Sequence, residues 1–391
     1  MTTSSVTSAA LPPGGFGNGI FRAYVNGRER PGAGEFTVLT GEQNPAGPGR
    51  DVLYGRGIPG TSFLRVADLG TGRVYVQGQL LTHSDEVSLD ASVQSVRVSG
   101  AESVTRWSVT DAFDLEQRVT VSGTTTADSR VTVTTRITDV RTERHRFRVE
   151  YLWDTAVAGD DGPVVQSGAA GASFRPFDPV HSTEQTFERS TGELAVADKY
   201  ANPGSPTFAV AVSGTGTAGA VPDRVQYVCL AEAVFAPIGG YVTDPARDIS
   251  SPASDCRPPA GGPDSGLLLL WSRDAAQDDA TVAAVLRMSP ANPYASTLRA
   301  GPVSLGTATA TLTDTATGRP VPGRTVVFTS GGRVRCRVVT DGAGRATCDS
   351  LLGGLLGYDV DFAGDAIWAA AHGHGGLPGG AEEEVSGGEG S

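Results

Sequence analysis

The sequence predicts an all-β protein: a large antiparallel β-sandwich, then a small one, then a disordered tail. Three observations carry that prediction. Apolar and polar residues alternate with a period of two in run after run, as half-buried strands require. Turn formers are abundant, with 52 Gly and 24 Pro among 391 residues, which suits many short strands. Only "DAAQDDATVAAVLRM" at 274–288 has a helix-compatible pattern, and its Val and Thr leave a strand open as well.

Residues 1–16 carry no periodic pattern and are expected to be disordered. They lack the basic and apolar regions of a signal peptide. The strand runs follow, beginning with "SVQSVRVSG" and "SVTRWSVTDAF". In "QRVTVSGTTTADSRVTVTTRITDV" Val119, Val121, Val131, Val133 and Ile137 share one phase, and the polar centre supplies a hairpin turn. In "RFRVEYLWD" Phe147, Val149, Tyr151 and Trp153 form the apolar face, with Arg146, Arg148 and Glu150 opposite. These runs read as one meander over 117–150 with an Arg- and Thr-rich solvated face. "PTFAVAVS", "QYVCLAEAVF" and "GLLLLWS" complete a large sandwich over 17–296. "SPANPYASTLRAGP" at 289–302 reads as a linker, a second strand set occupies 301–368, and 369–391 is too poor in apolar residues to fold.

The formal net charge of −12 argues against nucleic acid, whose phosphates an acidic surface repels. No run of about 18 apolar residues exists to span a membrane.

The segments "ATLTDTATGRPVPGRTVVF", "VVTDGAGRATC" and "YDVDFAGDAIW" together resemble bacterial immunoglobulin-like repeats of the invasin and intimin type. Gly318, Pro320 and Gly323 suit a turn, Val326 and Phe328 face a core, and Asp341, Gly342 and Gly344 suit a hairpin. The resemblance implies an Ig-like sandwich serving as a spacer or adhesive module outside the cell. More faintly, "VEYLWDTAVAGDDGP" in its strand-rich setting is similar to galactose-mutarotase-like domains, which implies a fold but no function.

The four cysteines lack zinc-knuckle spacing. Two readings stand, buried thiols or disulfides. Cys336 and Cys348, facing across the Thr-Asp-Gly hairpin, are expected to pair, and Cys229 with Cys256 would close the loop between them. Disulfides imply an oxidising, extracellular or cell-surface location. Asp154, Asp160 and Asp161 in "WDTAVAGDDGP" form the candidate metal and ligand site, since Ca²⁺ takes several hard oxygens. Solvated turn caps are the other reading. Arg136 and Arg148 on the Arg/Thr face are candidate ligand contacts, because Arg forks suit carboxylates and sugars. "GTGTAG" at 214–219 has no helix after it and is read as a loop. His372 and His374 form a metal-affine pair by residue type, but two ligands in the expected tail bind weakly, and they are read as solvated.

No motif requires a cofactor, and Ca²⁺ is the one ion the Asp group suits. The expected function is non-catalytic binding or adhesion, with a glycan or surface protein as partner and carbohydrate bound through the large sandwich. The alternatives are a carbohydrate-active enzyme with its acidic site on that sandwich, or a structural spacer.

Overall fold

The computed structural model describes residues 14–78, 86–138, 140–141, 145–168, 176–177, 180–182, 185–188, 193–198, 206–213, 222–229, 264–275, 280–303, 306–349 and 357–376. Among them the chain is all-β, with one 3₁₀ turn at Leu89–Ser92 and no α-helix. Among the described residues no helix is long and apolar enough to cross a membrane. The chain divides into two compact units. The first comprises Met1–Phe174, Pro179–Lys199 and Phe208–Ala291, and the second Arg175–Asp178, Tyr200–Thr207 and Asn292–Ser391.

In the first unit β1 (Phe16–Gly17), β2 (Phe21–Val25) and β3 (Phe36–Thr40) make a three-stranded sheet. Next come β4 (Phe63–Asp68), β5 (Arg73–Val76), β6 (Glu86–Ser88), β7 (Val93–Ser99), β8 (Glu102–Val109) and β9 (Phe113–Ser122). β10 (Arg130–Thr138), β11 (His145–Thr155), β12 (Val164–Gly168), β13 (Gln185–Glu188) and β14 (Glu193–Ala197) follow. β15 (Ala209–Ser213), β16 (Arg224–Cys229), β17 (Ser265–Ala275) and β18 (Ala280–Met288) complete the unit. They form an eight-stranded sheet, β12-β14-β15-β18-β10-β9-β8-β7, and a seven-stranded sheet, β13-β16-β17-β11-β4-β5-β6.

Of the segment 274–288, open between helix and strand by sequence, Asp274 and Ala275 end β17 and Ala280–Met288 form β18. Pairing of β18 with β10 from Arg130↔Arg287 to Ile137↔Ala280 selects the strand. The expected single meander over 117–150 is corrected. β10 pairs with β9 and β18, whereas β11 crosses to the other sheet and pairs with β17 and β4. Alternation tells that a strand is half-buried, and it cannot tell which strand lies beside it.

The two large sheets bury their facing sides against each other. Phe113 of β9 meets Phe147 of β11 edge-on, with ring centroids 5.2 Å apart. Trp107 is buried in this core along with Trp153 and Trp271. One polar chain threads the same layer. The Gln117 amide donates to the Tyr151 hydroxyl at 2.9 Å, that hydroxyl lies 2.6 Å from Thr135 Oγ1, and Gln77 donates to Gln117 at 3.3 Å. Satisfied buried polar groups of this kind fix the register of facing strands at little net cost.

The opposite face of β11 is not the solvated surface its sequence predicts. Glu150, Leu152 and Asp154 are all buried there. Leu152 packs with Phe63, Val74, Val76, Val228, Leu268 and Leu270. Glu150 lies among Arg65, Arg148 and Glu86, and Arg65 is paired with Glu86. Burial pushes the Glu150 carboxyl up to about 8, the two arginines offsetting part of the effect.

The second unit holds β19 (Ser296–Ala300), β20 (Ala308–Asp314), β21 (Thr325–Ser330), β22 (Arg333–Val339), β23 (Arg345–Cys348), β24 (Tyr358–Phe362) and β25 (Ala371–Gly375). The sheets run β19-β20-β23 and β22-β21-β24-β25. The expected linker contributes β19, because Leu298 is buried opposite Leu312 of β20. Val326 and Phe328 point into the core as expected. Asp341 Oδ1 accepts from the Ala343 and Arg345 amides at 2.9 Å, closing the turn its sequence predicts. The Arg324 guanidinium, buried, donates to the Pro206 and Pro322 carbonyls and to Asp365.

Two expectations are revised here. Cys336 and Cys348 are disulfide-bonded, but across sheets and not across a hairpin, since β22 and β23 belong to different sheets. The expected tail begins too early, because 371–375 form β25.

Candidate functional site

The backbone of the first unit brings four carboxylates to one end of the β11–β17 pair. In that pair Asp154 lies opposite Gly266 and Thr155 opposite Ser265, so Asp264 enters beside the end of β11. The chain then turns tightly through 157–160. Ala158 and Gly159 both have positive φ, and the Asp160 amide donates to the Val157 carbonyl at 3.1 Å. That turn returns Asp161 to the same place, where its carbonyl accepts from the Ser265 amide at 2.9 Å. Asp51 joins from the stretch after β3, its carbonyl accepting from the Ala158 amide at 2.8 Å.

Ligand oxygens of Asp154, Asp161 and Asp264 all lie within 4.8 Å of one another. Asp154 is only 8% exposed. Its Oδ1 and the Oδ1 of Asp161 are buried and accept no hydrogen bond. The Thr61 hydroxyl lies close enough to Asp154 to temper its acidity, yet makes no hydrogen bond of normal geometry. Below the trio the Asp154 amide donates to Ser62 Oγ at 3.1 Å, which holds the strand end in place.

The electrostatics follow from burial and like charge. Asp154 is pushed up to about 8, first by burial and then by Asp264, Asp161 and Asp51. Asp264 rises to about 6 through burial and its neighbour Asp161. Asp161 is raised by burial, Asp51 and Asp160, and Asp51 by burial, with Arg56 opposing both shifts. The Arg56 amide donates to Asp51 Oδ1 at 2.8 Å.

The sequence-predicted residues separate here. Asp154 and Asp161 come together as a pair. Asp160 is not one of the converging trio; its Oδ1 accepts from the Gly162 amide at 3.4 Å. Arg136 lies on β10 of the eight-stranded sheet and Arg148 on β11 of the seven-stranded one, so they do not share a face. Arg148 approaches Glu150 at 3.9 Å. Cys229 is disulfide-bonded, while Cys256 and the 214–219 loop lie outside the described residues. Sequence reasoning missed Asp264 and Asp51. The signal for Asp264 was its place just ahead of the most apolar run, Leu267–Trp271, with two residues between, and that run pairs with "RFRVEYLWD".

No family model matches this chain, and no curated protein does. Among solved structures it is similar to a proposed aldose 1-epimerase from Escherichia coli K12, at 12% identity over 70% of this chain and 98% of that one, with a TM-score of 0.39. A galactose mutarotase related enzyme from Lactobacillus acidophilus aligns at 7% identity over 71% of this chain and 97% of that one, with a TM-score of 0.37. An Aspergillus nidulans amine oxidase aligns at 11% identity over 70% of this chain and 51% of that one, with a TM-score of 0.36.

Proposed function

We propose that the protein binds a hydroxyl-rich ligand, a carbohydrate, through a calcium-type cation held by Asp154, Asp161 and Asp264, without turning it over. The observation that carries this reading is the convergence of three carboxylates with buried, unpartnered oxygens on Asp154 and Asp161. Buried carboxylates without partners cost several kcal/mol each, and a hard cation supplies the missing partner. Ca²⁺ takes 6–8 oxygens, so three carboxylates leave positions for ligand hydroxyls. Asp161 and Asp264 are half-buried, which leaves the site open on one side.

The second unit is proposed as an Ig-like presenting module. Its three- and four-stranded sheets, with strand order β19-β20-β23 and β22-β21-β24-β25, support this. An extracellular or cell-surface location fits disulfide bonds in both units. The facing carboxylates favour one other reading, acid–base work on a sugar, which also needs carboxyl groups close together.

Glycan arrays probed with the full chain in calcium and in excess EDTA test the proposal. Binding is expected in calcium only, and is expected to vanish in Asp161→Asn and Asp264→Asn. Binding indifferent to EDTA would remove the cation. Turnover of a bound glycan, abolished by Asp161→Asn, would replace binding with catalysis.

A further inference from the structure

We propose a second metal site, for a divalent transition ion of the Zn²⁺ class, on the outward face of the β24–β25 pair, built from His372, His374 and Asp359 with Asp361 behind His372. The register places these side chains in two adjacent cross-strand pairs, Asp359↔His374 and Asp361↔His372. Alternation does the rest. Gly373 and Gly375 turn inward, where a Cβ would stand 2.5 Å from the Leu298 carbonyl oxygen and 2.6 Å from the Tyr358 ring. The histidines between and beside them must therefore face out.

The two imidazoles lean along the sheet in the same direction. His374 Nδ1 lies 2.8 Å from Asp359 Oδ1. His372 Nε2 lies 3.8 Å from that same oxygen, while its Nδ1 is bonded to Asp361 Oδ1 at 2.7 Å. Asp359 thus sits between two ring nitrogens of different histidines. Ligands about 2.0–2.1 Å from a tetrahedral zinc stand about 3.3 Å from each other. The two nitrogen–oxygen distances bracket that value, while the two imidazole nitrogens stand too far apart for all three ligand atoms to lie within 4.8 Å of one another, so the exposed rings must rotate toward each other to close on the ion.

Asp361 completes the arrangement. A metal-bound imidazole commonly gives its other N–H to a carboxylate, which fixes tautomer and ring orientation. The Asp361–His372 pair holds Nδ1 in that way and leaves Nε2 for the metal. Gly357 makes room on the other side. A Cβ there would lie 3.1 Å from His374 Nε2, and its φ of +100° favours glycine in any case. Two imidazoles and a carboxylate suit Zn²⁺ better than Ca²⁺, in contrast to the all-oxygen trio of the first unit. All four side chains are about half exposed, so water completes the coordination.

Zn²⁺ titrated calorimetrically into the EDTA-treated full chain, with calcium in excess, tests the site. One equivalent is expected to bind. Its affinity should fall at least about tenfold in His372→Ala, His374→Ala and Asp359→Asn, and several-fold in Asp361→Asn. Asp161→Asn should leave it unchanged. Thermal melting confirms that the variants fold. Absence of saturable Zn²⁺ binding, or binding unchanged in both histidine variants, would overturn the proposal.

Discussion

Cys336 of β22 and Cys348 of β23 are bonded with their Cα atoms 5.8 Å apart, although the two strands belong to different sheets. β22 is the edge strand of its sheet, and its residues are largely exposed. It therefore buries little apolar surface of its own, and the disulfide fastens it to the opposite layer. With the bonded residues 12 apart, reduction, or Cys336→Ser with Cys348→Ser, should cost the second unit roughly 2–3 kcal/mol. Denaturant unfolding with and without reductant measures the loss. An unchanged midpoint would show that β22 is held by packing alone.

In the first unit the polar chain through Tyr151 makes a separate prediction. Tyr151→Phe removes one oxygen and leaves both Gln117 and Thr135 buried without it. A loss of about 1–3 kcal/mol is expected, the cost of stranding buried polar groups. Tyr151→Phe combined with Thr135→Val and Gln117→Leu should recover part of that loss. If the triple variant is less stable than Tyr151→Phe, the network contributes net stability beyond satisfying itself.

Glu35 should govern part of the pH dependence of stability. Burial raises its carboxyl from an ordinary 4.5 to about 8, with an Asn26 amide at 3.1 Å opposing and Asp90 adding to the shift. Below pH 4.5 the folded and unfolded chains both hold the proton, and the Glu35 contribution is fully present. As pH rises from there to about 8 the unfolded chain releases its proton first, so this contribution is lost through that window. Glu35→Gln should flatten the profile and gain roughly 2–4 kcal/mol over the wild type at the alkaline end. Parallel profiles for the two proteins from acid to alkaline pH would refute the assignment.

The inward faces of the sandwich were legible because alternation reports burial directly. Val119, Val121, Val131, Val133, Ile137, Phe147, Val149, Tyr151 and Trp153 all lie in the core on the phase their sequence shows. The outward face of β11 was not legible. Glu150 read as solvated, and Asp154 as a ligand or turn cap on the same polar face, because a period of two cannot say that the second face is covered as well. Half of the acidic site escaped for a different reason. Asp154 and Asp161 are near in sequence, but Asp264 reaches them only through the β11–β17 pairing. β25 was hidden by its composition, since glycines fill the inward positions that apolar side chains usually mark.

The carboxylate trio is the centre of this account, and calcium calorimetry on the chelator-treated full chain tests it most directly. A single calcium equivalent should bind to the Asp154, Asp161 and Asp264 site, and saturation at about a hundred times Kd should add about 2.7 kcal/mol to stability. Asp161→Asn and Asp264→Asn should each abolish that equivalent while Asp160→Asn retains it. Calcium binding that is absent in the wild type, or unaffected by Asp161→Asn and Asp264→Asn, would contradict the assignment.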